Sequence, residues 1–182
     1  SLRCVYEDAV DVHPFFEKFL RDFAVTERQR GTVVPPIEVR VGPLKGIFRA
    51  VEKSVQYALE EQYVVANGTV EDRANIPAAE TAVVNVSRLC DIVRGSVVAS
   101  CMDAMYKSLI RFLEDARIEV VRVKDRFTKP APGGWADFML NFRFKDDPHR
   151  HICEVQFIHS AMLLQRKGMG GHRWYSAYRA SS

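Results

Sequence analysis

Two carboxylates stand in stretches that otherwise read as core. Asp91 opens the β-branched run Asp91-Ile92-Val93-Arg94, and Glu154 lies inside Ile152-Cys153-Glu154-Val155-Gln156-Phe157. A carboxylate is costly to bury unpaired, so in apolar company it meets a cation. Converging from neighbouring strands, the two would hold Mg²⁺, with water and phosphate oxygens as the remaining ligands. The alternative is that each pairs with an Arg or Lys of its own on a solvated sheet face. Lys45, Arg49 and Lys53, spaced four apart, make a basic stripe. Like charges at that spacing repel, by about 0.2–0.5 kcal/mol per pair, and an anionic partner would relieve them; the alternative is an ordinary solvated helix face. Arg122 and Lys124 share one face of a strand, Arg126 lies just beyond it, and Trp135 leaves a Gly-Gly turn on the same side as Asp137. An exposed indole beside cations is a platform for a nucleobase, and equally a lid on the core. His149, His151 and Cys153 alternate along a strand start, which suits either a metal on one face or an exposed hairpin edge with a buried thiol. There is no GxxxxGK[ST] loop, no GxGxxG after a strand, no HExxH and no GxSxG elbow.

The elements that must position these residues are legible from periodicity. Phe15, Phe16, Phe19, Leu20 and Phe23 predict a helix over 13–30, closed by Gly31 and Pro35-Pro36 and followed by a linker. From Pro43 to about Gln62 the pattern is helical again, with Leu44, Ile47, Phe48, Val51, Val55, Ala58 and Leu59 on one arc. Residues 67–82 read as a loop. A strand at Asp91–Val98 and a helix at 102–116 burying Met105, Leu109, Phe112 and Leu113 form a βα unit. Strands follow at Ile118–Lys124, 135–144 and His151–Ile158, then a helical segment broken near Gly168–Gly171. The expected order is α-α-β-α-β-β-β-α, an α+β domain around a mixed sheet flanked by helices.

At 182 residues the chain is long enough for one full core, and 47% hydrophobic with 27% charged residues excludes disorder, collagen and coiled coil. No apolar run reaches the roughly 18 residues of a spanning helix, so no membrane partner is expected. A net charge of +3 implies no nucleic-acid partner by itself, so any anion must be held by local clustering. Cys4, Cys90, Cys101 and Cys153 lack CxxC spacing, which predicts free thiols in a reducing, intracellular and cytoplasmic setting. The sequons Asn67-Gly68-Thr69 and Asn85-Val86-Ser87 matter only in a secreted chain.

Several segments, in order, resemble the RelA/SpoT family of alarmone synthetases. They are Leu44 to Lys53, Asp91 to Val98, Val123 to Phe127, Gly134-Trp135-Ala136-Asp137, Cys153-Glu154-Val155-Gln156 and Gly171-His172-Arg173-Trp174-Tyr175. The likeness spans about residues 40–179, dividing the chain into an N-terminal helical segment and linker, 1–40, and a RelA/SpoT-like domain, 41–182. It implies a nucleotidyltransferase-like fold and, in active members, Mg²⁺-dependent transfer of pyrophosphate from ATP to the 3′-hydroxyl of GDP or GTP. By this resemblance Asp91 and Glu154 are the metal-binding and catalytic carboxylates, and Lys45, Arg49, Lys53, Lys124 and Arg126 hold phosphates. Trp135 takes the place of the family's stacking tyrosine, and Arg94, Asp137, Gln156 and His172 fall at further site positions. The sequence departs from the family where Gly42-Pro43 follows Arg40-Val41, where Ser96 replaces an arginine, at Asp137-Phe138-Met139, and at Phe157-Ile158-His159 after Glu-Val-Gln. Two functions follow as expectations: a nucleotide-binding domain that transfers pyrophosphate or a nucleotidyl group, or a catalytically inactive module binding RNA, a nucleotide or a protein. The oligomeric state is not legible in the sequence.

Overall fold

The computed structural model describes residues 1–30, 37–67, 86, 88–131 and 134–168, leaving aside the side chains of 58–67 and 166–168. Helix α1 (Leu2–Arg30) starts well before residue 13 and runs through Pro14. The proline is exposed, so the carbonyl that loses its donor faces water rather than the core. Strand β1 (Glu38–Val41) occupies part of the expected linker; four residues are too few for periodicity to register. Helix α2 (Ile47–Asn67), strand β2 (Val93–Ala99), helix α3 (Met102–Leu113), and strands β3 (Ile118–Asp125), β4 (Phe138–Phe144) and β5 (Cys153–His159) follow, and α4 (Ser160–Gly168) closes the described chain. The sheet order is β1-β2-β5-β4-β3, with β2 and β5 parallel and every other pair antiparallel. This is the expected mixed-sheet α+β architecture with one further strand at its edge. Among the described residues no helix is long and apolar enough to cross a membrane.

Alternation along each strand divides the sheet into two unlike faces. Val93, Gly95 and Val97 of β2, Cys153, Val155 and Phe157 of β5, and Leu140 and Phe142 of β4 turn toward α1 and α3. Phe112 of α3 is the hub, with Phe19, Phe23, Phe142 and Phe157 all edge-on to it at centroid distances of 5.3 to 5.4 Å. Edge-to-face rings add about 0.5–1.5 kcal/mol per pair to the burial itself. Gly95 is where α1 comes closest to the sheet: a Cβ there would stand 2.6 Å from Leu20 Cδ1 and 3.0 Å from the Arg40 carbonyl. At the end of α1, buried Glu27 accepts from Arg111 Nη1 of α3 at 2.5 Å, so the one carboxylate in this packing has its cation. Four expected apolar positions are not buried. Ile47, Phe48 and Val51 of α2 are exposed, and among the described side chains of α2 the buried ones are the small Ala50 and Ser54. Leu113 is the last residue of α3 and is exposed, whereas Ser108, donating to the Ala104 carbonyl at 2.7 Å, is buried.

The opposite face is polar. One row across four strands reads Arg122, Asn141, Glu154 and Arg94, and the next reads Lys124, Met139, Gln156 and Ser96. This face carries the candidate site.

Candidate functional site

The loop between β1 and α2 is stitched to the start of β2. Gly42 N donates to the Arg94 carbonyl at 3.1 Å and Lys45 N to the Ile92 carbonyl at 3.0 Å. Two groups from α1 brace the same loop: the Tyr6 hydroxyl donates to the Lys45 carbonyl, and the His13 ring meets the Gly42 carbonyl at 3.0 Å. Lys45 therefore lies in this loop, ahead of the helix, beside Asp91. Lys53, in α2, reaches the same carboxylate. Lys45 Nζ stands 2.6 Å and Lys53 Nζ 2.8 Å from Asp91 Oδ2, with side-chain exposures of 11%, 28% and 12% for Lys45, Lys53 and Asp91. Asp91 Oδ1 is buried and has no hydrogen-bond partner among the described residues.

Burial would raise the pKa of Asp91, but the Lys53 charge and the two ammonium hydrogen bonds outweigh it and hold the carboxyl below its ordinary value. Lys53 is affected oppositely: burial disfavours its charge, the Asp91 carboxylate wins, and its pKa rises. For Lys45 burial prevails over Asp91, with Lys53 and Arg94 adding repulsion, and its pKa is lowered. The lysines diverge because Lys45 meets the repulsion of Lys53 and Arg94, whereas the charge of Lys53 is favoured by Tyr57 as well as by Asp91.

Glu154 projects from β5 onto the same face and is only 8% exposed. Its carboxyl is pushed up, first by burial and then by the negative charge of Asp91, so the two carboxylates are within electrostatic reach of each other. Gln156 Nε2 donates to Glu154 Oε1 at 3.1 Å. Among the described residues no group of three His, Cys, Asp or Glu side chains could hold a metal alone. The donor set is two carboxylates, one with an orphaned buried oxygen and the other with its charge disfavoured by its neighbour. A hard divalent cation would answer both, drawing its other ligands from water or phosphate oxygens; the residues present fit Mg²⁺.

Asn141, fully buried beside Glu154, was not among the site residues drawn from the sequence. Its Nδ2 donates to the Cys90 carbonyl at 3.0 Å, and its Oδ1 accepts from Arg122 Nε at 2.8 Å. It ties the residue preceding Asp91 to the sheet and aims Arg122. The signal that could have found it is the one that singled out Glu154, a polar side chain between apolar neighbours in mid-strand.

The remaining sequence candidates divide. Lys124 is exposed next to Arg122, and its pKa is lowered by burial and by Arg122, Arg126 and Lys53. Arg126 Nη1 donates to both oxygens of Asp137 at 2.8 and 3.1 Å, and Trp135 Nε1 donates to Asp137 Oδ2 at 2.9 Å. Asp137 is fully buried, so it serves as the anchor of this cluster, and Trp135 is half-buried instead of exposed. The strand expected from residue 135 begins at Phe138, because Trp135 is bridged back to Ala131 in a tight turn at Gly134, where φ is 77°. Arg94 is exposed one strand away from Glu154. Arg49 is not brought to Asp91; it is exposed and paired with Glu52 at 2.9 Å. His149, His151 and Cys153 do not converge. The strand starts only at Cys153, Cys153 faces the helices with its thiol pKa raised by burial, and His149 pairs with Asp8. His172, the loop beyond residue 67 and the segment beyond residue 168 lie outside the described residues.

Solved structures share this arrangement of elements. The small alarmone synthetase 1 from Bacillus subtilis, bound to its product pppGpp, superposes with a TM-score of 0.65 over 93% of this chain and 78% of that one. The fold is that of the small alarmone synthetases. Small alarmone synthetase 2 from Bacillus subtilis has the same fold at a TM-score of 0.60, covering 96% of this chain and 82% of that one, and a GTP pyrophosphokinase family protein from Streptococcus pneumoniae has it at 0.56, covering 91% and 72%. Identities are 14%, 15% and 12%, so the alarmone-synthetase fold is shared while most side chains are not. No family model matches the sequence, and no curated protein matches it significantly.

Proposed function

We propose that the polar face of the sheet binds a nucleotide with Mg²⁺ and transfers pyrophosphate to a second nucleotide. The observation that supports this reading is the convergence of Lys45 and Lys53 on one oxygen of Asp91, at the start of the strand that pairs with the one carrying buried Glu154, on a fold whose solved examples include one bound to pppGpp and one bound to AMPCPP. Lys45 and Lys53 take the donor's phosphates, with Arg49 at the outer edge. Lys124 and Arg126 hold acceptor phosphates, and Trp135, fixed by Asp137, offers its ring to the acceptor base. Mg²⁺ at Asp91 and Glu154 would neutralise phosphate charge. The acceptor hydroxyl oxygen attacks the β-phosphorus of ATP, the bond from that phosphorus to the α-phosphate oxygen breaks, AMP leaves, and the hydroxyl proton passes to Glu154. The cations act by preorganised attraction for charge spread over the phosphate oxygens.

The test is thermal unfolding with ATP or GTP, with and without Mg²⁺, followed by turnover of nucleotide pairs. A rise in melting temperature that needs both ligand and metal supports the site. Glu154→Gln should abolish turnover and leave the melting temperature equal or higher, since it removes a buried charge facing Asp91. The second reading, a non-catalytic binding module, is favoured by the departures at Ser96 and Asp137-Phe138-Met139 and by Arg126 being committed to Asp137. Absence of any shift, together with RNA binding that weakens steeply with salt, would select it.

A further inference from the structure

Lys45 and Lys53 share a single acceptor, Oδ2 of Asp91, at 2.6 and 2.8 Å, and all three side chains are largely buried. The other oxygen of the same carboxylate is buried and has no partner among the described residues. In the form without ligands the groups that would hold a phosphate therefore stand on the group that would hold a metal. A divalent cation arriving alone meets two ammonium charges already on its ligand. A polyanion arriving alone must draw those ammoniums from a carboxylate that would be left buried without a counter-charge. Arriving together, the anion takes the lysines and the cation takes the carboxylate, and neither charge is left uncompensated.

We infer that Lys45 and Lys53 form a lock on Asp91 that makes divalent-cation and phosphate-type anion binding mutually dependent at this site, so that each ligand tightens the other. This rests on the nucleotide-site reading above but makes a separate claim, that the coupling resides in these two lysines. Coupling is reciprocal by thermodynamic necessity, so the effect of anion on metal equals that of metal on anion. The neighbourhood supports a switch of partners: Lys53 also lies 5.6 Å from the Tyr57 ring centroid, and the same face of the sheet carries the exposed cations Arg94, Arg122 and Lys124, to which an anion would be drawn.

The experiment titrates Mn²⁺, a spectroscopic stand-in for Mg²⁺, into the full chain in chloride and in sulfate at equal ionic strength, sulfate being a phosphate-like anion that chelates Mn²⁺ weakly. The wild type should bind Mn²⁺ about tenfold more tightly in sulfate. Lys45→Met with Lys53→Met should bind Mn²⁺ more tightly than the wild type in chloride and should lose the sulfate response, and Asp91→Asn should lose the site in both media. Mn²⁺ binding that depends on Asp91 but is equal in the two media overturns the lock and leaves the metal site standing. No Asp91-dependent Mn²⁺ binding in either medium overturns the metal site and the lock together. The wild type and Asp91→Asn together decide between these outcomes even if the double variant does not fold.

Discussion

At Asn141 a single amide fixes two site components at once. It is fully buried, holds the Cys90 carbonyl that precedes Asp91, and receives Arg122. Asn141→Leu keeps the branched shape and removes the donor to the Cys90 carbonyl, a loss of about 1–3 kcal/mol by the cost of an unsatisfied buried polar group, while exposed Arg122 turns to water. Urea unfolding should show that loss, and the melting-temperature rise produced by nucleotide with Mg²⁺ should shrink, because the Asp91 loop is no longer tied to the sheet. His151 gives a pH signature independent of the site. Burial pushes its pKa below the ordinary 6.5, against the raising influence of Asp147 and Asp8, and its Nε2 has no partner among the described residues. The unfolded chain therefore takes up this proton at higher pH than the folded one. The contribution of His151 is fully present above pH 6.5 and is lost as the pH falls from there toward its folded value. Melting temperatures measured from pH 7.5 to 5 should fall, and His151→Gln should flatten that slope.

At the scale of elements, the seat of α1 on β2 depends on a missing side chain. A methyl at Gly95 would lie 2.6 Å from Leu20 Cδ1, 3.0 Å from the Arg40 carbonyl and 3.1 Å from Phe16 Cε1, and the backbone neighbour cannot yield as a side-chain end can. Gly95→Ala should lower stability by about 1–3 kcal/mol, the usual cost of overpacking, seen as a lower urea midpoint at unchanged slope. Because α1 also braces the Lys45 loop through Tyr6 and His13, the same variant should weaken nucleotide binding from the far side of the sheet. Helix α2 departs from its apolar arc for a related reason. It carries Lys53 to Asp91, so its register is set by that ion pair and by the small Ala50 and Ser54, and Ile47 and Phe48 are left facing outward.

For the molecule as a whole, α1, α3 and the sheet share one aromatic core centred on Phe112. Phe112→Ala removes four ring contacts and should cost about 3–5 kcal/mol. Unfolding followed by tryptophan fluorescence and by far-ultraviolet circular dichroism should stay coincident, as a single cooperative unit requires. The polar face is built on the back of that core. Glu154 neighbours Val155 in sequence, and alternation sends one to the site and the other to the helices, so the packing that aligns Val155 also aims Glu154.

From the sequence alone came the α+β class, most of the strands and helices, and the residue types that stand together on the polar face, because alternation and helical spacing are local properties of the chain. The four-residue β1 and the passage of α1 through Pro14 escaped it, one being too short to show a period and the other depending on which side of a helix meets water. That Lys45 and Lys53 close on one oxygen of Asp91, that Arg49 does not, and that Asp137 anchors Arg126 and Trp135 depended on the tertiary structure. Those pairings join residues 46, 38 and 11 positions apart, or turn on which rotamer a buried charge needs to be neutralised. No pattern within one element carries that information; it comes into being only when the sheet brings its polar side chains to one surface.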